Sequence, residues 1–183
     1  ELLVTLPTNF KCAKFEDDKD TQIIRNLESD VDRARLTISG EEIELPVKLK
    51  AYDSIWVPLA KWAMLLAGNY RCITRDGMRT AQEAVHSDIE TSRSVYNFVN
   101  DLCVKLGASP NDLVPFEKYA AAAQGLVRPS SAARALFAGA PNIERVDRLV
   151  QAIAAQQGMR LAALDDTVAV VDEKLAANRK AAA

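Results

Sequence analysis

Hydrophobic and polar residues alternate over the first fifty positions in a way that predicts strands around a single helix. Ile23, Leu27 and Val31 recur every four residues, which is typical of an amphipathic helix over 20–33. Gly40 separates two short runs and predicts a hairpin turn. The other predicted elements are strands at 2–6 and 10–15 and hairpin arms at 35–39 and 43–45. So few strands cannot bury a sheet, and residues 1–50 are therefore expected to form a small αβ segment that joins a larger sheet.

From residue 51 onward the apolar positions follow helical spacing. Residues 55–67 are apolar nearly all round, which predicts a buried helix with Pro58 in its first turn. A second pattern keeps one apolar face from Val85 to Leu106 and predicts a single helix of about six turns, capped by Gly107. Further helices are predicted from Ser130 or Ser131 to Gly139, over 143–157 with Leu149 facing inward and Gly158 as cap, and over 165–177. The expected fold class is mainly α, with residues 51–183 as one helical domain.

Composition and charge exclude several classes of protein. The 183 residues carry 23 basic and 25 acidic side chains, and this balance argues against nucleic-acid binding through phosphate neutralisation. No apolar stretch is long enough to span a membrane, and three cysteines without a C-x-x-C pair favour a reduced, cytoplasmic protein. The seven glycines are never closer than nine positions, so no glycine-rich phosphate-binding motif is present. The single histidine, His86, excludes a multi-histidine metal site and is expected at the surface.

Lysine and arginine side chains supply the candidate chemistry of the helical half. Lys61 lies within the apolar helix, where a lysine is costly unless a cleft solvates it, and such a lysine suits proton transfer. Asn69 follows two turns later and would face the same groove. The alternative is that Lys61 reaches solvent along its stem. Arg71, Arg75 and Arg79 recur every four residues, either as a cationic ridge or, as we favour, paired with neighbouring acids.

Two short segments carry recognisable motifs in a defined order. The buried helix opens with Ile55-Trp56-Val57-Pro58-Leu59, and residues 128–141 read RPSSAARALFAGAP before a helix that ends in a glycine. This order resembles the C-terminal helical domain of the ketopantoate reductase family. There a W-x-K-L segment begins the domain, and S-S-M-x-x-D-x-x-x-G-x-P-T-E-I-D comes near its end. The resemblance covers roughly residues 50 to 178.

The resemblance implies both a fold and an activity. The fold would be the helical substrate-binding and dimerisation domain of the 6-phosphogluconate-dehydrogenase-like type, with residues 1–50 as the end of a Rossmann-type nucleotide-binding domain. The activity would be NADP-dependent reduction of a small 2-oxo acid. Because the sequence begins at Glu1 without methionine and lacks a dinucleotide motif, NADP is expected to bind an N-terminal domain that lies outside it. A homodimer is the expected assembly.

The family's functional residues carry over unevenly. The lysine position falls on Pro58, so Lys61, one turn further, becomes the candidate general acid, and Asn69 becomes a candidate substrate-binding residue. The remaining substrate-binding candidates are Ser131, which matches the family's serine, its neighbour Ser130, and Glu144, which adjoins the glutamate position occupied by Ile143. These departures leave two alternatives open. One is a non-catalytic module of the same fold that binds a partner or dimerises, and the other is a helical domain that resembles the family by chance.

Overall fold

The computed structural model of the chain describes residues 8–45 and 47–182. These residues form two compact units that divide after Pro58, and each unit is described below by itself. The strand predicted at 2–6 lies outside the described residues. No helix within the described ranges is both long enough and apolar enough to cross a membrane.

The N-terminal unit is a βαβ arrangement with a hairpin inserted before its last strand. Its elements are β1 (Thr8–Ala13), α1 (Asp18–Arg33), β2 (Arg35–Ile38), β3 (Glu41–Glu44) and β4 (Val47–Tyr52). β1 pairs with β4 in parallel, with Phe10 opposite Leu49, and β2 pairs with β3 in antiparallel. The predicted second strand, helix and hairpin are thereby confirmed. β4 was not predicted, although Val47, Leu49 and Ala51 follow the two-residue period of a strand.

Local side-chain chemistry sets the ends of these elements. Asp17 caps α1 because its carboxylate accepts the Lys19 N–H at 2.7 Å. Thr21, the buried polar residue of α1, accepts the Phe15 N–H at 3.0 Å and ties the incoming loop to the helix. Ser39 and Gly40 both have positive φ, at 54° and 87°, which is the geometry that a two-residue hairpin turn requires.

The second unit is helical, which confirms the mainly α prediction. Its helices are α2 (Ala60–Met64), α3 (Ala81–His86), α4 (Ile89–Lys105), α5 (Phe116–Ala123), α6 (Ser131–Phe137), α7 (Val146–Gln156) and α8 (Ala162–Ala182). A 3-10 turn (Val57–Leu59) precedes α2, and a π-helical turn (Leu65–Asn69) and a second 3-10 turn (Tyr70–Cys72) extend it. Another 3-10 turn, Pro110–Asp112, follows α4. The π-helical turn contacts α3, α4, α6 and α7, so it lies at the centre of this unit.

The core of the helical unit forms around α4. The buried face of α4 consists of Ser92, Val95, Tyr96, Val99, Leu102 and Cys103. Tyr96 stacks on Tyr119 of α5 with ring centroids 5.3 Å apart and meets Phe116 edge-on at 5.4 Å. Gly68 of the π-helical turn adjoins the same cluster, because a Cβ atom added there would lie 1.9 Å from the Tyr119 hydroxyl oxygen. This turn can therefore approach α5 only with a glycine at position 68.

The structure corrects the single long helix predicted from Val85 to Leu106. α3 ends at His86, and α4 starts anew at Ile89 after Asp88, whose backbone is not helical, with φ −146° and ψ 80°. Asp88 caps α4 by accepting the Thr91 N–H at 3.0 Å, so a cap residue interrupts a continuous apolar stripe. The stripe survives because α3 and α4 both face the same core. Gly107 follows α4 with φ at 117°, as the prediction of a glycine cap requires.

Two further predictions about apolar side chains were wrong. Ile55 precedes the first helical turn and is 59% exposed, so the helix predicted over 55–67 starts later and its helical geometry continues to Cys72. Leu149 of α7 is 49% exposed, whereas its neighbours Val146 and Val150 are buried. The helix predicted over 143–157 begins only at Val146 because residues 143–145 form the loop that leads into it.

Candidate functional site

A cavity of about 310 Å³ in the helical unit brings together three of the predicted site residues. Asn69, Ser131 and Glu144 all line it. The rest of its lining comprises Leu65, Tyr70, Ala132, Ala135, Asn142 and Ile143. The cavity therefore lies between the π-helical turn, the start of α6 and the loop before α7.

Ser130 holds the Asn69 side of this cavity against α6. Its hydroxyl donates to the Asn69 carbonyl oxygen at 2.7 Å and accepts the Ala133 N–H at 3.1 Å, so it also caps α6. Ser130 is buried, whereas Ser131, the first residue of α6, is exposed and lines the cavity. Of the two predicted serines, Ser130 is thus a positioning residue and Ser131 is the one that a ligand can reach.

Tyr70 positions Glu144 through the backbone. The Tyr70 hydroxyl donates to the Glu144 carbonyl oxygen at 2.6 Å and accepts the Val146 N–H at 2.9 Å. Burial raises the pKa of Tyr70, so the phenol remains protonated and keeps donating. The Glu144 side chain itself is exposed at the cavity rim and free to meet a ligand.

A buried ion-pair network fixes the start of α7 immediately after Glu144. Arg145 donates to both carboxylate oxygens of Asp147, at 2.9 and 2.8 Å, and to Asp172 of α8 at 2.6 Å. Burial alone would lower the pKa of Arg145, but the hydrogen bonds to Asp147 and Asp172 outweigh it and raise that pKa. Asp147 is fully buried, and this fork of donors satisfies both of its carboxylate oxygens. The network therefore holds the loop before α7, which lines the cavity, against α8.

Lys61 does not lie in this cavity. Its side chain is exposed on α2, and the residue that lines the cavity is Leu65, one helical turn later. This exposure agrees with the alternative that Lys61 reaches solvent, and its role as a proton donor stays a prediction. The apolar pattern around Lys61 did not reveal that one narrow side of the helix faces solvent.

Sequence reasoning missed two polar residues of the cavity lining, Tyr70 and Asn142. Tyr70 directly follows Asn69, and Asn142 directly precedes Ile143, so both adjoin positions that had been singled out. The Asn142 side-chain oxygen accepts a hydrogen bond from the Arg179 guanidinium at 3.1 Å. The Asn142 amide nitrogen is therefore the group that can donate to a ligand. A polar residue in a loop between two predicted helices was the available signal for Asn142.

The other candidate groups have structural partners. His86 is half-buried, with Nε2 3.0 Å from the Ala120 carbonyl oxygen. Cys72 and Cys103 are buried, and burial raises the pKa of Cys103 to about 11, so neither thiol is an activated nucleophile. Within 8–45 and 47–182, no group of three or more His, Cys, Asp or Glu side chains is arranged to hold a metal ion.

The described residues of the αβ unit do not fit the phosphates of NADP. The loop from β1 to α1 contains no glycine, and Asp18 and Asp20 occupy the first turn of α1 beside the Asp17 cap. A helix N-terminus binds pyrophosphate through free N–H groups and a positive potential, and three carboxylates oppose both. Within the described residues, the N-terminal end of α1 is therefore a poor site for these phosphates.

The chain matches no protein-family model, no curated protein and no solved structure. Its candidate site is therefore defined by its own geometry. Asn69 and Asn142 supply amide groups, Ser131 a hydroxyl and Glu144 a carboxylate, around walls formed by Leu65, Ala132, Ala135 and Ile143. Such a cavity suits a small, branched, polar molecule that offers both hydrogen-bond acceptors and a hydroxyl.

Proposed function

We propose that the helical unit is the substrate-binding part of a ketopantoate-reductase-like, NADP-dependent oxidoreductase that acts on a small 2-oxo acid. In this proposal the fold is the 6-phosphogluconate-dehydrogenase-like helical domain, and the N-terminal αβ unit is the end of a nucleotide-binding domain whose phosphate-binding part lies elsewhere. The observation that carries the proposal is that Asn69, Ser131 and Glu144 line one cavity. Ser131 matches a position of the family motif, whereas Asn69 and Glu144 lie near such positions, and the convergence of the three on one cavity supports the proposal.

Each lining group then has a role toward the substrate. The Asn69 amide and the Ser131 hydroxyl donate to the substrate carboxylate, and Glu144 accepts from a hydroxyl of the substrate or product. Lys61, which is exposed on α2 one turn before Leu65, is the candidate proton donor to the keto oxygen, and its side chain would have to reach into the cavity from outside it. Bound NADPH would supply the hydride, and this chain's residues orient the acid and provide the proton.

Titration of the chain with ketopantoate tests the binding half of this proposal. We expect saturable binding that Asn69→Ala and Ser131→Ala each weaken about tenfold, because each removes a hydrogen bond to a charged group. Matched controls are Asn97→Ala and Ser94→Ala, two exposed positions on α4 away from the cavity. Equal losses in the controls, or no binding by the wild-type chain, would overturn the proposal.

Turnover by the longest natural form of the protein tests the catalytic half. With NADPH and a 2-oxo acid, Lys61→Ala is expected to lower the rate by at least about a hundredfold if Lys61 is the general acid. A rate within about threefold of wild type would remove Lys61 from this role while leaving the binding residues in place.

A second candidate function is a non-catalytic module of the same fold that dimerises or binds a partner. The exposure of Lys61 outside the cavity favours it, because a general acid is expected within reach of the substrate. This alternative predicts no thermal stabilisation by NADPH in the longest natural form. A shift of Tm that saturates with NADPH would exclude it.

A further inference from the structure

A second cavity in the helical unit is rich in arginine. It measures about 380 Å³, and Arg71, Arg75 and Arg79 line it together with residues of α4 and α8. The chain turns back between Arg71 and Arg79, because Ile73 bridges Met78 and the Arg79 N–H donates to the Cys72 carbonyl at 3.0 Å. This turn places on one side two guanidinium groups that a continuous helix would separate by two turns.

The three arginines differ in whether a carboxylate pairs with them. Arg75 is exposed and pairs with Glu173 of α8 at 3.1 Å, as the acid-pairing interpretation predicted. Arg71 is only 9% exposed, and its guanidinium donates to the Ser92 hydroxyl. Arg79 donates to the Arg71 carbonyl at 2.8 Å and to the Ser87 hydroxyl at 3.1 Å. The acid-pairing prediction is therefore wrong for Arg71 and Arg79.

Neither Arg71 nor Arg79 forms an ion pair within 4.0 Å with any carboxylate of the described part of the chain. Burial is the main cause that lowers the pKa of Arg71, and the positive charge of Arg79 lowers it further. The negative charge of Asp88 offsets this lowering only in part. Two like charges close together, one of them buried, are costly unless an anion sits between them. The guanidinium fork matches the oxygens of carboxylate and phosphate groups.

Carboxylates also line this cavity. Asp76 and Asp166 are exposed lining residues, and Thr91 of α4 adds a hydroxyl. Carboxylates repel an anion but accept hydrogen bonds from hydroxyl groups. The lining thus combines guanidinium donors, Arg71 and Arg79, with carboxylate acceptors, Asp76 and Asp166.

We propose that this cavity binds a small phosphorylated polyol, with its phosphate on Arg71 and Arg79 and its hydroxyl groups on Asp76 and Asp166. A phosphomonoester carries close to two negative charges at neutral pH, which matches two guanidinium groups better than a monocarboxylate does. The site lies apart from the Asn69–Ser131–Glu144 cavity, with no lining residue in common. The proposal stands whether or not the chain belongs to a reductase.

Calorimetric titration with glycerol 3-phosphate, inorganic phosphate and glycerol tests the site. We expect glycerol 3-phosphate to bind most tightly, inorganic phosphate more weakly, and glycerol not at all up to about 10 mM. Arg79→Gln should weaken both phosphate ligands at least tenfold, by about the cost of a charge-assisted hydrogen bond. Arg160→Gln is the matched control, because Arg160 is exposed, pairs with Asp165 at 3.3 Å and does not line this cavity, and it should stay within about twofold of wild type.

A conservative variant separates loss of the site from loss of the fold. Arg79→Lys keeps the charge and should retain measurable phosphate binding, whereas Asp166→Asn should weaken glycerol 3-phosphate and leave inorganic phosphate unchanged or tighter. Absence of saturable phosphate binding by the wild-type chain would overturn the proposal. Equal losses in the Arg160 and Arg79 variants would also overturn it, because they would indicate general attraction to positive charge. Equal affinity for the two phosphate ligands would overturn the polyol assignment.

Discussion

The two units of the chain differ in how far they bury their large apolar side chains. In the helical unit Leu66, Tyr96, Leu102 and Leu136 are at most 1% exposed. In the described part of the N-terminal unit many large apolar side chains are exposed, and these are Phe10, Phe15, Ile23, Leu27, Leu36, Ile38, Ile43 and Ile55. Among residues 10–45 and 47–56, Thr21 is the one that the structure records as buried.

The difference teaches what an apolar pattern does and does not imply. The four-residue spacing in α1 formed a helix, as predicted, but one helix and a two-stranded sheet offer only one layer to cover it. α4 has the same kind of spacing and contacts α2, α3, α5 and α8, so its stripe is enclosed. Periodicity thus determines which side chains share a face, and the number of packed layers determines whether that face is buried.

The largest expected effect compares the same substitution in both units. Leu102→Ala is expected to lower the free energy of unfolding by about 2–5 kcal/mol, because Leu102 is fully buried and leaves a cavity. Leu27→Ala in α1, where the side chain is 48% exposed, should cost about 0.5 kcal/mol or less. Urea unfolding followed by far-UV circular dichroism measures both. Similar losses would mean that the apolar face of α1 is covered as well as that of α4.

The next effect concerns the tightest backbone approach in the helical unit. Gly68→Ala should cost about 1–3 kcal/mol, because the new methyl group would overlap the Tyr119 hydroxyl. Gly77→Ala is the control, since a Cβ there meets nothing within 4 Å, and its effect should stay within about 0.5 kcal/mol. Introducing Tyr119→Phe should reduce the penalty at Gly68. A penalty unchanged by Tyr119→Phe would contradict the steric explanation.

A smaller effect separates the two neighbouring serines at the start of α6. Ser130→Ala is expected to cost about 1 kcal/mol, because it removes the α6 cap and the donor to the Asn69 carbonyl. Ser131→Ala should leave the free energy of unfolding within about 0.5 kcal/mol, since this side chain is exposed. Chemical denaturation of the two variants provides the comparison. A larger loss at Ser131 would reverse the roles assigned to these residues.

The smallest effect is a pH dependence that belongs to the helical unit. Burial alone would raise the pKa of Asp172, but hydrogen bonds from Arg148 and Arg145 outweigh it and lower that pKa from its ordinary value of 3.8. A lowered pKa in the folded state means that stabilisation is present above the unfolded pKa and lost as pH falls through the folded one. Asp172→Asn should therefore be less stable than wild type by about 1 kcal/mol or less near about pH 6, since the pair is partly screened. The gap should narrow below about pH 4, and a gap independent of pH would contradict this account.

Much of the fold could be predicted because helix ends are decided locally. Gly107, Gly139 and Gly158 all follow helices with positive φ, and Ser130 caps α6, as predicted. The break at Asp88 and the helix α5 were overlooked, although a cap residue and an alanine-rich stretch after Pro115 are present in the sequence. The break at Asp88 is hidden in the sequence because the apolar positions continue on both sides of the capping residue.

The candidate sites show the same distinction between local features and features set by tertiary packing. Sequence by itself determined the hairpin turn, the helix caps and which residues occupy one face of a helix, because these depend on neighbours within about four positions. Tertiary structure alone decided that Asn69 and Glu144 share a cavity, that Lys61 does not line it, and that Arg71 and Arg79 line one cavity together. The physical reason is that these distances follow from how helices pack and how turns redirect the chain, and the same local patterns are compatible with many packings.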